Sequence, residues 1–150
     1  MRSRKKILAV ASAGGHWTQL TLLKQSFEHH DIQFVTTNLN HAKDSQQNIS
    51  IVLDADISQK LRLIVLATQS AFLVLKYRPD VVISTGAAPG FFAILFGKLI
   101  RSRTIWIDSL ANASKLSLSG QQAKRFCDVF LTQWEDLSDG NSIQYKGSLL

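Results

Sequence analysis

The sequence predicts an α/β fold, a Rossmann-like and mostly parallel sheet with helices on both faces. Apolar runs that suit buried strands, such as Lys6–Ala11 and Val81–Ser84, alternate with longer segments of helical periodicity. Two of these strands run into glycine-containing turns, Gly14–Gly15 and Thr85–Gly90, before a helix follows. Strands that alternate with helices imply right-handed crossovers between parallel strands.

The length and composition fit a single domain spanning residues 1–150. A chain of 150 residues with 45% hydrophobic and 19% charged residues can bury a sizeable core. The single cysteine, Cys127, excludes an internal disulfide, and no stretch of the sequence has Cys and His at the spacing of a zinc site. We therefore expect the protein to occupy a reducing compartment and to bind no metal, with Cys127 buried as a small apolar residue. We also expect no cofactor.

The net charge of +6 and the isoelectric point of about 9.7 favour an anionic partner. Nucleic acid, an anionic membrane surface and a phosphorylated substrate all meet that condition. Nucleic acid is disfavoured, because basic and aromatic residues do not interleave in any stretch. No apolar segment reaches the ~20 residues of a spanning helix, and the basic Met1–Lys6 precedes only a short strand. We therefore expect membrane association to be peripheral.

The predicted elements follow in the order strand, helix, strand along most of the chain. The first helix begins near His16, with Trp17, Leu20 and Phe27 on its buried face and Gln19 on its polar face. The other predicted strands are Ile32–Thr37, Ile49–Leu53, Thr104–Ile107 and Val129–Thr132, and we expect Val129–Thr132 to be the last strand of the sheet. The other predicted helices are Leu61–Tyr77, Phe91–Ile100 and Gln121–Arg125. Asn38–Asn48 is predicted to be a loop.

Two of these helices, Leu61–Tyr77 and Phe91–Ile100, are apolar around most of their circumference. Such helices usually lie in a core or a subunit interface, and we favour that interpretation for the first of them. Insertion into an anionic membrane surface is the alternative for both. It is suggested by the basic residues that flank the two helices, which are Arg62, Lys76, Arg78, Lys98, Arg101 and Arg103.

The turn Ser12–His16 marks the first candidate site. Gly14 and Gly15 carry no Cβ atoms, so a ligand can approach the backbone, and the N–H groups of the following helix can face an anion. The turn lacks the G-x-G-x-x-G spacing of a dinucleotide site and the Lys-Ser/Thr pair of a P-loop. A tight strand–helix turn that binds nothing is the alternative interpretation.

Both glycine turns follow predicted strands. Because the carboxyl ends of parallel strands meet at one edge of a sheet, and ligands bind beyond that edge, we expect a single site. The candidate binding residues are Gly14, Gly15, His16, Thr85, Gly86 and Gly90.

Two residues at this edge could take part in proton transfer. His16 begins the first helix, where its imidazole could accept a proton from a hydroxyl, contact a phosphate or serve as a polar cap. Asp108 ends an apolar strand, where its carboxylate could act as a base, bind a sugar hydroxyl or cap the following segment. The residues alone leave these roles open.

Five segments carry a family resemblance: Ala11–His16, Pro79–Gly86, Leu116–Gly120, Phe130–Trp134 and Tyr145–Gly147. Together they resemble the asparagine-linked glycosylation protein fourteen family, whose bacterial members include the PssD and CpsF type subunits of exopolysaccharide and capsule synthesis. The segments occur in the family's order and span essentially the whole chain. The Gly-Gly-His turn is also similar to that of MurG.

The resemblance implies the N-terminal half of a GT-B glycosyltransferase whose two Rossmann-like halves are separate chains. This half would bind a polyprenyl-diphosphate-linked acceptor at the cytoplasmic face of a membrane. A donor-binding partner subunit would supply the UDP-sugar, and the chain alone would be inactive or nearly so. The resemblance also implies that Gly14, Gly15, His16 and the Thr85–Gly86 turn line the acceptor cleft, and the base remains open between His16 and Asp108.

The sequence departs from the family pattern in two respects. Eukaryotic members generally carry an N-terminal membrane anchor, which we do not find here, so the apolar helices and the basic N-terminus are expected to substitute for it. Asp108 stands where the family often has Glu, which shortens the reach of the carboxylate. Leu149–Leu150 is expected to contribute to docking of the partner.

Two other functions are compatible with the sequence. A self-sufficient small-molecule Rossmann enzyme would bind its own cofactor, and the missing dinucleotide fingerprint counts against it. A non-catalytic scaffold would only recruit a catalytic partner to the membrane. In that case neither His16 nor Asp108 would affect the rate of the complex.

Overall fold

The computed structural model describes residues 3–43 and 46–150. The strands are β1 (Lys6–Ala11), β2 (Asp31–Thr36), β3 (Ile49–Ile51), β4 (Val81–Gly86), β5 (Arg103–Ile107), β6 (Val129–Thr132) and β7 (Gln144–Tyr145). The α-helices are α1 (Gly15–Leu22), α2 (Leu39–Lys43), α3 (Lys60–Tyr77), α4 (Ala87–Leu99) and α5 (Leu118–Ala123). Short 3₁₀ segments lie at Lys24–Phe27, Lys124–Phe126 and Glu135–Leu137.

The strands form one sheet in the order β3-β2-β1-β4-β5-β6-β7, and every neighbouring pair is parallel. Helices cover both of its faces: Leu20 of α1 is buried on one face, and Leu66 of α3 and Ile94 of α4 are buried on the other. Alternate residues of β1 enter the two apolar clusters, Ala9 on the first face and Val10 on the second. The predicted fold class is therefore confirmed, and the apolar strands are explained by burial on both sides.

Helix α3 buries one stripe and exposes another. Leu66, Ser70 and Val74 are buried, whereas Leu61 is 81% exposed and Phe72 is 61% exposed. One face of this helix therefore lies in the core, and the exposed apolar face is free for the subunit interface or the membrane surface considered above. Among residues 3–43 and 46–150, no helix is both long enough and apolar enough to cross a membrane.

The chain differs from the sequence prediction between β2 and β3. The predicted loop Asn38–Asn48 contains the short helix α2, whose start is stabilised by the Asn38 side chain as it accepts from the N–H of Asn40 at 3.0 Å. Helix α2 buries no residue, so it has no apolar periodicity from which it could be predicted. Residues 44 and 45 of that loop, and Met1 and Arg2 of the basic N-terminus, lie outside the described residues.

Two further differences have local causes. Helix α4 begins at Ala87 rather than Phe91, because Pro89 lies in the first helical turn, where its missing N–H removes no helical hydrogen bond. The prediction of β6 as the last strand is wrong: β7 adds to the sheet beside it, with Gln144 opposite Leu131. Strand β7 has two residues, which is too short for an alternating pattern.

Cys127 provides a test of the packing of α4, α5 and β6. Its thiol donates to the carbonyl of Ala123 at 3.2 Å, and burial, with the nearby charge of Asp128, raises the pKa of the thiol to about 12. A thiol with that pKa has roughly a thousandfold less thiolate at pH 8 than a free cysteine with a pKa of ~8.5. We expect iodoacetamide to modify the folded protein at least a hundredfold more slowly than the urea-unfolded protein, as measured by mass spectrometry. Equal rates in the two states would contradict this packing.

Candidate functional site

The two glycine turns lie side by side at the carboxyl edge of the sheet because β1 and β4 are neighbours. The register of this pair shifts after Val10, which lies opposite Ser84, so that Ala11 lies opposite Gly86. The chain then leaves β1 toward α1 and leaves β4 toward α4. The shift places the starts of both helices next to each other, as the single-site prediction requires.

The side chain of His16 is held between these two turns. Its Nδ1 lies 2.9 Å from the carbonyl oxygen of Thr85, and the hydroxyl of Thr85 donates to the carbonyl of His16 at 2.6 Å. A carbonyl can only accept, so Nδ1 carries the hydrogen in this contact. In the neutral ring, Nε2 therefore keeps a free lone pair, which is the form that a general base needs.

The glycines of the two turns have different tasks. Gly86 has a φ of +140°, and a Cβ at this position would collide with Nδ1 and Cε1 of His16. Gly86 therefore makes room for the imidazole. Gly14, with a φ of +77°, and Gly15 have only open space where a Cβ would lie, so the backbone there is accessible to a ligand.

Gly90 lies in the first part of α4 and faces the sheet. A Cβ at Gly90 would collide with the hydroxyl of Ser84 and would lie 3.3 Å from the ring of Trp106. Gly90 is buried and does not line the cleft described below. Its small size allows α4 to pack closely on β4 and β5.

An open cleft of about 460 Å³ lies above the two turns. Its walls are formed by the first residues of α1, which include His16, by Ala87 of α4, by the loop after β5 and by the first residues of α5. Among the described residues, no carboxylate, lysine or arginine lines it. The N-caps of α1 and α4 are Gly14 and Gly86, and neither helix has a side-chain cap. Free N–H groups and the positive ends of two helix dipoles therefore border the cleft, which suits an anionic ligand.

A second cleft of about 480 Å³ lies at the opposite edge of the sheet, beside Pro79 and Ser102. Helices α3 and α4 end there, with Arg78 and Ile100 as their C-caps, so their dipoles present negative ends. The volumes of the two clefts do not distinguish them. The first cleft is the candidate functional site, because His16 and the N-termini of α1 and α4 meet there.

Asp108 lies behind the wall of the cleft. It is 1% exposed, and its carboxylate accepts from Trp106 Nε1 at 3.0 Å, from Ser117 Oγ at 2.5 Å and from the N–H of Ser117 at 2.9 Å. Asp108 is not among the described residues that line the cleft. Its carboxylate instead holds the residues before α5 against the end of β5. The structure thus brings Gly14, Gly15, His16, Thr85 and Gly86 together, but of these only Gly15 and His16 are among the described residues that line the cleft. Thr85 is fully buried, and Asp108 lies one layer deeper.

Sequence reasoning missed two buried glutamines beside the cleft. Gln19, which was predicted on the polar side of the first helix, is 6% exposed, and Gln133 is 5% exposed. The side chains meet at 2.5 Å, and Gln133 also donates to the carbonyl of Asp108 at 3.0 Å. Gln133 belongs to the Phe130–Trp134 segment that carries the family resemblance, which was a usable signal. Helical periodicity gives no such signal for Gln19, because a polar residue on a helix is expected to lie at the surface.

Comparison with known proteins identifies the family. A family model described as "Oligosaccharide biosynthesis protein Alg14 like" matches residues 52–149. The chain belongs to this family. The curated relatives include the UDP-N-acetylglucosamine transferase subunit ALG14 of Yarrowia lipolytica, 40% identical over 73 residues, which are 45% of this chain and 34% of the relative. The corresponding subunit of Candida albicans is 36% identical over 88 residues, covering 54% of this chain and 40% of the relative. The chain thus matches less than half the length of either relative.

Solved structures show the same fold as one half of larger proteins. MurG of Acinetobacter baumannii matches with a TM-score of 0.78 at 11% identity, over 95% of this chain and 45% of MurG. The UDP-N-acetylglucosamine 2-epimerase of Rickettsia bellii matches with a TM-score of 0.73 at 13% identity, over 98% of this chain and 46% of the epimerase. At these identities the match establishes the fold alone, which is the Rossmann-like fold of the N-terminal half of GT-B proteins such as MurG.

The contact between Gly86 and His16 can be tested by Gly86→Ala. The added Cβ collides with the imidazole and the backbone is held at a positive φ, so we expect the free energy of unfolding to fall by about 2–4 kcal/mol. Gly140→Ala is the matched control, because Gly140 has a φ of +71° but open space around it. Gly140→Ala should lower the free energy of unfolding by about 1 kcal/mol, because only backbone strain is added. Urea denaturation measures both; equal losses would refute the collision with His16.

Proposed function

We propose that this chain is the acceptor-binding subunit of a two-component GT-B glycosyltransferase. The complex transfers a sugar from a UDP-sugar to a polyprenyl-diphosphate-linked glycan in polysaccharide or oligosaccharide biosynthesis. The observation that carries the proposal is the cleft in which His16 and the uncapped starts of α1 and α4 meet. Membership of the Alg14 family and the correspondence to half of MurG support it.

The acceptor diphosphate is proposed to bind where the two helices begin. The exposed backbone at Gly14 and Gly15 lets a phosphate approach the N–H groups of α1, and Ala87, which lines the cleft, lies at the corresponding position at the start of α4. None of the carboxylates in residues 3–43 and 46–150 lines the cleft to repel the charge. Binding at this position brings the acceptor sugar close to His16.

His16 is proposed as the general base, since it lines the cleft, whereas the carboxylate of Asp108 is occupied by three donors. The acceptor hydroxyl oxygen attacks the anomeric carbon of the UDP-sugar as the bond from that carbon to the UDP oxygen breaks. The hydroxyl proton passes to Nε2 of His16, and UDP leaves with the bonding electrons. The carbonyl of Thr85 keeps the imidazole in the required tautomer.

The UDP-sugar is proposed to be held by a partner chain. The curated relatives are named as subunits of a transferase, which supports a second, donor-binding chain. The partner would cover the cleft from the carboxyl edge of the sheet. Leu149–Leu150 is proposed to contribute to this interface, and the side chain of Leu150 is 75% exposed.

Attachment to the cytoplasmic face of a membrane is proposed to occur through the outer face of α3. The exposed apolar side chains of α3 and the end of α4 are Leu61, Ile64, Val65, Phe72, Leu75 and Leu99. Basic residues accompany this face, and Lys76 places its ammonium group 5.7 Å from the centre of the Phe72 ring. The sequences of α3 and α4 contain no acidic residue. Apolar insertion combined with positive charge suits an anionic lipid surface.

The catalytic proposal is tested with the chain copurified with its donor-binding partner, in a UDP-sugar transfer assay on a polyprenyl-diphosphate glycan. We expect His16→Asn to lower kcat by about 10²–10⁴-fold, because Asn can donate to the carbonyl of Thr85 but cannot accept the proton. His41→Asn is the control, since His41 contacts Thr36 outside the cleft. Full activity of His16→Asn would favour a scaffold, and full turnover by this chain alone would refute the two-component proposal.

The membrane proposal is tested by cosedimentation with vesicles of phosphatidylglycerol and phosphatidylcholine. Replacing Leu61 and Phe72 by Ser removes two exposed apolar groups, and we expect the bound fraction to fall by about tenfold or more. Leu39→Ser is the control, because Leu39 is 63% exposed but lies on α2. Equal binding of the two variants would exclude this face as the membrane contact.

A further inference from the structure

The two buried glutamines have defined amide orientations because each contacts a backbone N–H. The N–H of Leu110 donates to Oε1 of Gln19 at 3.1 Å, and the N–H of Leu149 donates to Oε1 of Gln133 at 3.0 Å. A backbone N–H can only donate, so these contacts identify the oxygen of each amide. The nitrogen of Gln19 therefore faces Ser109, at 3.0 Å from its hydroxyl oxygen.

The hydroxyl of Ser109 is consequently an acceptor in both of its contacts. It accepts from Nε2 of Gln19 and from the N–H of Ala111, the latter at 3.3 Å. A serine hydroxyl has two lone pairs and one hydrogen, so both lone pairs are occupied and the hydrogen remains. No contact within the described part of the chain uses this hydrogen as a donor.

This spare hydrogen belongs to a buried side chain that lines the cleft. Ser109 is 4% exposed, and it lines the cleft together with Ala87 and with Gln19, which it contacts. A buried donor favours an acceptor, so an oxygen atom of a ligand that enters the cleft can accept this hydrogen. The starts of α1 and α4 face the same space, which favours a negatively charged oxygen.

We infer that Ser109 is a ligand-binding residue whose hydroxyl donates a hydrogen bond to a diphosphate oxygen of the acceptor. Gln19 and Gln133 are positioning residues: Gln19 fills one lone pair of Ser109, and Gln133 holds Gln19. The inference rests on the proposed acceptor cleft and adds to it a side-chain donor. The same chemistry would recognise a lipid diphosphate or a free diphosphate.

The test is a binding titration of the isolated full chain, followed by NMR, without any transfer reaction. The probes are farnesyl diphosphate, inorganic pyrophosphate and farnesol. We expect Ser109→Ala to raise the Kd for farnesyl diphosphate about tenfold, since a hydrogen bond to a charged oxygen is lost. Ser102→Ala is the matched control: Ser102 is also buried and donates to the carbonyl of Pro79, at the opposite edge of the sheet. It should leave the Kd unchanged.

Wild-type protein provides a second measurement that does not depend on the fold of a variant. Farnesyl diphosphate should shift the backbone amide signals of residues 109–111, and farnesol should not. A tenfold effect of Ser109→Ala on pyrophosphate as well would support recognition of the diphosphate alone. Unchanged Kd values for Ser109→Ala, or farnesyl diphosphate binding without shifts at 109–111, would overturn the inference. Because no transfer is measured, a failure of the proposed glycosyltransferase activity would be seen separately.

Discussion

The parallel pairing of β1 with β4 is the constraint on which the cleft depends. These strands lie far apart in the sequence, and the sheet brings their carboxyl ends together, with a shift in register that places Ala11 opposite Gly86. Two helices then begin side by side. The reciprocal contacts between His16 and Thr85 join the two turns, so the proposed base is fixed by the backbone of the neighbouring strand.

The glycines near the starts of α1 and α4 have two different physical effects. Gly86 and Gly90 allow close packing, the first against the imidazole of His16 and the second against β4 and β5. Gly14 and Gly15 leave the backbone open to solvent. The first glycine turn, at Gly14 and Gly15, is therefore the accessible one. In the second glycine turn, Gly86 packs against the imidazole of His16.

The wall of the cleft after β5 is held by buried polar contacts rather than by apolar packing. Asp108 binds the residues before α5, while Gln19 and Gln133 bind the backbone at residues 108–110. Buried polar groups of this kind must be satisfied together, which gives the loop one defined position. Gln133 also binds the N–H of Leu149, so the last residues of the chain contact the same network. A partner that docks on Leu150 would therefore lie close to this wall of the cleft.

The sequence by itself determined the α/β class, the main strands and helices, the family and the meeting of the two glycine turns. These follow from apolar periodicity, from turn residues and from the rule that parallel strands end at one edge. The tertiary structure decided which of the predicted site residues face the cleft. Asp108 is polar and Gly90 is small, as residues of a binding site often are, yet both are buried and neither lines the cleft. Gln19 is expected to be exposed from its position on the helix, but it is buried in the wall of the cleft. Periodicity reports how apolar a face is, and the partners of a polar side chain are known only when distant segments are packed together.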